Sequence, residues 1–344
     1  MRSCFIIAEA GVNHNGSEEL ALQLIETAAK AGANAVKFQS FKASSLAVKG
    51  TPTAKYQKQQ TGNNDQYSML KELELSEDLH CKLVEHCHKY NIEFMSTPFD
   101  TETAEFLLEL GMERLKIPSG ELTNLPFIRK LVSFNRLMIL STGMANLEEV
   151  KEAVTVIREE REVQSFHEPL KEVLTILHCT SNYPTRNEDV NLRAMQTMER
   201  ELGLPVGYSD HTEGTLVSAM AVAMGAKVIE KHFTMDHSLP GPDHQASLEP
   251  GELATMIQQI RQIETCLGSG EKVPRDSELP VRDLVRRSVI LARDKPADVE
   301  IQSEDLVLLR PGTGIPPKEL DQVIGKHLKA SLKSGTVLTW KDID

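Results

Sequence analysis

Apolar positions along the chain follow two alternating patterns. Short apolar runs recur as CFIIAEAG (4–11), AVKFQ (35–39), EFMSTPF (93–99), RLKIPSG (114–120), LMILSTG (137–143), TILHCTS (175–181), PVGYSDH (205–211) and KVIEKHF (227–233). Between them, stretches such as SEELALQLIETAAKAG, SEDLHCKLVEHCHKY, LEEVKEAVTVIREE and GTLVSAMAVAMGA are amphipathic in the manner of helices. Strand–helix alternation with short connections predicts an α/β fold built on a parallel sheet. Eight such units over residues 1–270 predict a (β/α)8 TIM barrel, whose usual size is ~250 residues. A doubly wound open sheet is the alternative, but no GxGxxG follows the first run.

Two segments break the rhythm. Residues 41–74, with KGTPTAKYQKQQTGNNDQYS, are polar and too long for a simple strand–helix connection. They suit a loop over the C-terminal mouth of a barrel, where barrel enzymes build their sites. Residues 271–284 carry Gly and Pro punctuation and are expected to be a linker. From 285 to 344 the pieces RRSVILARD, DLVLLRPG and GTVLTWKDI alternate with turn signals, which predicts a small β-rich second domain.

Composition narrows the partners. The chain has 344 residues and a formal net charge of −12, which disfavours nucleic acid and anionic membranes as partners. No apolar run approaches the ~20 residues of a membrane span. The first apolar run passes straight into polar VNHNG, unlike a signal peptide. Five irregularly spaced cysteines with no CxxC fit a reducing compartment, so a cytoplasmic location is expected.

The run ends carry the chemistry. In a strand, side chains two apart share a side, which pairs Lys37 with Gln39, Ser209 with His211 and Glu230 with His232. Glu9, Thr97, Lys116, Ser119 and Ser141 close other runs, and Ser181 and Tyr183 follow the sixth. Polar endings on so many strands at one end mark the active-site face of a barrel. His211 and His232, on neighbouring strands, can share a divalent cation with water and substrate oxygens completing its shell. Lys37, Lys116, Thr97, Ser119, Ser141 and Ser209 form a set of cations and hydroxyls suited to a phosphate or carboxylate. Glu9, Glu121 and Asp243 are placed for hydroxyl recognition or proton transfer. His80, His86 and His88 lie on one helical stretch without an HExxH pattern and read as structural or solvated.

The motifs IIAEAGVNHNG, AVKFQSFKA, FMSTPFD, LKIPSGE, ILSTGM, LHCTSNYP, GYSDHT, EKHFT, GPDH and RPGTGI, in this order, resemble the sialic acid synthase family. The tail resembles that family's SAF, or antifreeze-like, domain. The resemblance implies a metal-dependent condensation of phosphoenolpyruvate with an N-acetylated hexosamine, giving a nonulosonic acid and phosphate with C–O cleavage. It implies that His211 and His232 are the metal ligands, with manganese the first expectation and magnesium or cobalt the others. It puts Lys37, Thr97, Lys116, Ser119, Ser141 and Ser209 on phosphoenolpyruvate, with Ser181 where some members carry Asn. It puts Glu9, Gln39, Glu121, Tyr183 and Asp243 on the amino-sugar, and matches Asn63 to a mouth-loop asparagine. Arg310, in RPGTGI, corresponds to an arginine lent across a homodimer in which the SAF domain is swapped onto the partner barrel.

Glu9 and Glu230 both remain as proton relays. N-acetylmannosamine, giving N-acetylneuraminate, is the first substrate expectation. The alternative is 2,4-diacetamido-2,4,6-trideoxymannose, giving N,N'-diacetyllegionaminate. A class I aldolase with a Schiff base on Lys37, Lys116 or Lys231 is a more distant enzyme reading. A sugar- or ice-binding protein using the tail is the non-enzymatic one.

Overall fold

Eight parallel strands, Phe5–Gly11 (β1), Ala35–Ser40 (β2), Glu93–Pro98 (β3), Arg114–Ile117 (β4), Leu137–Ser141 (β5), Leu174–Cys179 (β6), Val206–Asp210 (β7) and Val228–His232 (β8), alternate with helices. The computed structural model describes residues 3–53, 58, 62 and 64–344. The hydrogen-bonded order is β3-β2-β1-β8-β7-β6-β5-β4, and β3 and β4 lie side by side to bring the sheet round into a nearly closed barrel. The expected TIM-type α/β architecture is therefore present. Local signals explain the boundaries: the helix Glu18–Ala31 starts at Ser17, whose hydroxyl accepts from the Leu20 N–H, and stops at Gly32 with a left-handed φ of 87°.

Alternation along each strand decides what enters the barrel. Ile7, Ala35, Met95, Ile139, Leu177 and Val228 pack together as an apolar floor inside it. Two residues further on, toward the C-terminal mouth, the same strands carry Glu9, Lys37, Thr97, Ser141, Cys179 and Glu230. The intervening side chains, among them Ile6, Val36, Phe38, Leu140, Tyr208 and Ile229, join the layer beneath the helices. One step along the chain thus converts a dry floor into a charged one. An apolar strand such as VIEKH ends in ionisable residues because it reaches the mouth, not the outer surface.

Gly207 takes the inward position on β7 two residues before Ser209. A Cβ there would lie 2.3 Å from the Val228 carbonyl oxygen and 2.6 Å from Leu177 Cδ2. Backbone cannot yield as a flexible side chain does, so Gly207→Ala is expected to destabilise the barrel by about 3 kcal/mol, the upper end of overpacking costs. A lowered urea midpoint with an unchanged slope is the expected readout.

The segment 41–74 is anchored in its described parts. Short helices Ala43–Leu46 and Gln66–Glu72 lie within it near its two ends, and Phe41, Met69 and Leu73 pack with Val12. Asn63 lies outside the described residues.

The chain divides into two compact units, Met1–Gly268 and Ser269–Asp344. The second has its own core of Val289, Leu291, Ile301, Ile315, Val323, Leu328, Leu338 and Ile343. Its antiparallel pair is Ser288–Leu291 (β9) with Leu306–Leu309 (β10). The third expected strand, GTVLTWKDI, forms only single bridges, Val337 to Ile290 and Ile343 to Leu328. The Thr339–Asp342 turn, closed by the Asp342 carboxylate on the Thr339 N–H and hydroxyl at 2.8 and 2.7 Å, interrupts it. Part of the expected linker is helical, Leu279–Val285, because Pro280 falls in the first turn where its missing N–H costs nothing. All five cysteines are free. Among the described residues, no helix is long and apolar enough to cross a membrane.

Candidate active site

A cavity of about 460 Å³ opens at the C-terminal ends of the strands. Of the residues expected from the sequence, Glu9, Lys37, Gln39, Thr97, Lys116, Ser119, Ser141, Ser181, Tyr183, Ser209, His211, Glu230 and His232 line it. Asp243 lies one layer behind. It is buried after β8, with Oδ2 4.0 Å from His232 Nδ1. Glu121 sits in the turn Ser119–Glu121, accepts from Asn124 Nδ2 at 2.7 Å, and does not line the cavity. Arg310 is exposed just after β10, in the second unit.

The lowest layer is a buried quartet of two ammoniums and two carboxylates. Lys37 Nζ lies 2.6 Å from Glu9 Oε2 and 3.6 Å from Glu230 Oε2, and donates to Thr97 Oγ1 at 2.8 Å. Lys116 Nζ lies 3.4 Å from Glu230 Oε1, which also accepts from Ser209 Oγ at 3.0 Å. Gln39 Nε2 donates to Glu9 Oε1 at 3.2 Å. Burial opposes ionisation of Glu230, but Lys116 and Lys37 outweigh it and hold the carboxyl at about 2. Glu9 goes the other way: burial, reinforced by Glu230, raises it despite Lys37. Burial also lowers Lys116, against the pull of Glu230. The Ser141 hydroxyl is buried with no partner, so a ligand oxygen above it would gain a bond at little cost.

A second cluster of small groups stands beside Lys116. The Gly143 N–H donates to Ser119 Oγ at 2.9 Å, and Ser119 Oγ is 3.1 Å from Cys179 Sγ. A Cβ on Gly143 would be 2.3 Å from Ser181 Oγ, 2.8 Å from Ser119 Oγ and 2.9 Å from Cys179 Sγ. Gly143→Ala is therefore expected to displace both hydroxyls and raise the KM for an anionic substrate about tenfold, the worth of one hydrogen bond to a charged group. Stability should be nearly unchanged, because only side-chain ends need to move.

Above this layer stand the imidazoles. His211 and His232 have ring centroids 5.5 Å apart, and Tyr183 lies against both, at 4.1 and 5.7 Å. His211 Nδ1 is 2.7 Å from the Thr180 carbonyl. A carbonyl only accepts, so Nδ1 carries the proton and Nε2 keeps its lone pair. Burial holds His211 at about 4 and His232 well below its ordinary value, so both rings are neutral. Gly11, at φ 53°, lets β1 pass the His232 ring, where a Cβ would come within 3.2 Å of Cε1. Among the described residues, no group of three or more His, Cys, Asp or Glu is arranged around a metal. Two neutral imidazoles, one with a defined lone pair and the other with a buried, unbonded Nδ1, fit a cation whose remaining positions are filled by water and substrate oxygens.

Sequence reasoning missed Gln66, Phe99, Met144, Pro118, Gly120 and Cys179, which also line the cavity. Cys179 was recoverable, since it lies two residues beyond inward-facing Leu177, and Phe99 two beyond Thr97. Gln66 comes from the segment over the mouth and had no periodic signal. Lys231 does not enter the cavity. It points to the outer side of β8 and is fully buried against Asp210, which removes it as a Schiff-base candidate.

The sequence profile described as the NeuB family matches residues 24–272, and that of the SAF domain matches 286–344. The N,N'-diacetyllegionaminic acid synthase of Legionella pneumophila is 53% identical over 99% of this chain and 95% of its own length. The enzyme of the same name from Campylobacter jejuni is 46% identical over 98% and 99%. Among solved structures, N-acetylneuraminic acid synthetase from Leptospira borgpetersenii, in complex with citrate, superposes with a TM-score of 0.70 at 36% identity, covering 81% of this chain and 90% of that one.

Proposed function

The chain belongs to the NeuB family of synthases, and from that premise we propose that it condenses phosphoenolpyruvate with 2,4-diacetamido-2,4,6-trideoxymannose to give N,N'-diacetyllegionaminate and phosphate. The observation that carries the reaction type is one cavity holding two buried lysines, a ring of hydroxyls and, above them, two neutral imidazoles. N-acetylmannosamine stood first on sequence alone. The two relatives named for the diacetamido product, similar over nearly their whole length, shift the choice to the alternative. Among the described lining residues the only lysines or arginines are Lys37 and Lys116, both engaged in the buried quartet, which favours a sugar without a second phosphate.

The roles follow from the layers. Lys37 and Lys116, with Thr97, Ser141 and Ser209, hold the phosphate and carboxylate of phosphoenolpyruvate and stabilise charge that builds on them. Ser119 and Ser181 complete the grip beside Gly143. His211 and His232 hold a divalent cation, manganese first. When bound, it supplies Lewis-acid polarisation of the sugar aldehyde oxygen. Tyr183 and Gln39 orient the sugar over C3 of phosphoenolpyruvate. The C3–C1 bond forms, water adds at C2, and the C2–O bond to phosphate breaks. Glu230 stays ionised and anchors the lysines. Glu9, raised by burial, takes one proton of the added water and passes it to the new C1 oxygen, and the remaining hydroxyl proton leaves with phosphate as the C2 ketone forms. The proposal retains a homodimer in which the tail lends Arg310 to the partner barrel, and a cytoplasmic location.

Phosphate release from phosphoenolpyruvate, with manganese and either sugar, with and without EDTA, tests this. Metal-dependent release that is faster with the diacetamido sugar is expected. Faster release with N-acetylmannosamine would reverse the substrate choice. EDTA-insensitive release with either sugar would remove the cation.

A further inference from the structure

Asp210 and Lys231 form an ion pair outside the cavity with both side chains fully buried, Lys231 Nζ 3.2 Å from Asp210 Oδ2. Such a pair is expensive, and apolar residues of the same size commonly serve stability as well or better. Its place in the chain suggests another use. Asp210 immediately precedes His211, and Lys231 immediately precedes His232.

The β7–β8 ladder pairs Ser209 with Glu230 and Asp210 with Lys231, and ends there. The two histidines are the next residues, past the last pairing between β7 and β8. His232 still pairs with Glu9 of β1, and the His211 carbonyl accepts from the Thr185 N–H, but no backbone bond joins one histidine to the other. Lys231 reaches across this end and also donates to the Thr212 carbonyl, so one ammonium holds the chain on both sides of His211. Asp210 is fixed in turn. Its Oδ1 accepts from the Thr212 N–H at 2.9 Å and the Thr212 hydroxyl at 2.7 Å, and its Oδ2 from Ser218 Oγ at 2.6 Å. The two contacts of Lys231 tie the segment of one histidine to that of the other, those of Asp210 with Thr212 and Ser218 brace its own side, and none of these residues lines the cavity.

We propose that Asp210 and Lys231 are positioning residues that replace the missing ladder and set the separation of the His211 and His232 rings for a shared divalent cation. This rests on the reading that those rings hold the cation. Outer partners of ligands commonly govern metal affinity by about 10- to 100-fold, and a buried two-strand clamp can do so without touching the metal.

The test is a manganese titration of the full chain, followed by the electron paramagnetic resonance of free Mn²⁺, on wild type and two variants. The double variant Asp210→Asn/Lys231→Met leaves no buried charge unpaired. It is expected to keep its metal-free melting temperature and its affinity for phosphoenolpyruvate while binding Mn²⁺ at least about tenfold more weakly. A purely structural pair would instead lower the melting temperature and leave the affinity of folded protein unchanged, and that result overturns the proposal. Ser218→Ala removes only the bond to Asp210 Oδ2. It covers the case in which the double variant does not fold, with a weaker Mn²⁺ affinity expected and wild-type affinity again overturning the inference. Wild type that binds no Mn²⁺ overturns the cation reading itself, which separates that failure from the failure of the clamp.

Discussion

Glu230→Gln is expected to lower kcat/KM for phosphoenolpyruvate by about 10³-fold, the range set by uncovering one member of a buried charge pair. Glu230 lies between both lysines, 3.6 Å from Lys37 and 3.4 Å from Lys116. It is the only carboxylate close to Lys116 among the described ion pairs. Burial already lowers the Lys116 pKa, with Glu230 the main opposing influence. Glutamine removes that support and lets the pKa fall further. Lys116 is charged only below its pKa, so the variant should lose its grip on phosphoenolpyruvate progressively as pH rises, where wild type does not.

Stability should slope the other way. A lysine whose folded pKa lies below its unfolded value binds more protons unfolded, so folding gains as pH rises between the two values. Opposite slopes of kcat/KM and of unfolding free energy in the variant are thus expected from one group. Parallel wild-type and variant pH profiles would mean that Glu230 does not set the charge of Lys116.

Much of this site was legible before the structure, for a physical reason. A barrel strand imposes a strict two-residue alternation, and all eight strands point the same way. Polar residues at run ends therefore fall on one mouth, and parity says which of them face inward. Lys37, Thr97, Ser141, Glu230 and His232 were found by that rule, and Cys179 obeys it too. Parity misses what lies past the strands. Glu121 was grouped with the site through its motif, but its turn carries it out of the cavity wall. Gln66 entered the cavity from a segment without periodicity.

In the second unit, runs of apolar residues indicated strands, yet GTVLTWKDI contributes only bridges, since turn hydrogen bonds at Asp342 compete for its backbone. Lys231 shows the converse error. Charge on a strand end suggests the mouth, but parity puts it on the outer side, where Asp210 and the Thr212 carbonyl make its burial tolerable.

His232→Ala should abolish turnover by about 10³-fold or more, the several kcal/mol that a Lewis-acidic cation supplies to a developing alkoxide. Its metal-free stability should change little. The ring is neutral, and its Nδ1 is buried with no hydrogen-bond partner, so truncation breaks no bond that folding depends on. Metal binding provides the contrast. A ligand that binds only the native state at a hundred times its Kd adds about 2.7 kcal/mol to stability. Wild type should therefore melt higher with saturating manganese, and the variant should not. Wild type in EDTA should match the variant in both activity and melting temperature, because each has lost the same thing by a different route. A variant that keeps its activity, unmoved by EDTA, would leave the cavity lysines to do the chemistry. Borohydride trapping of an adduct on Lys37 or Lys116 would then be the expected result, and the two imidazoles above them would serve only to shape the cavity.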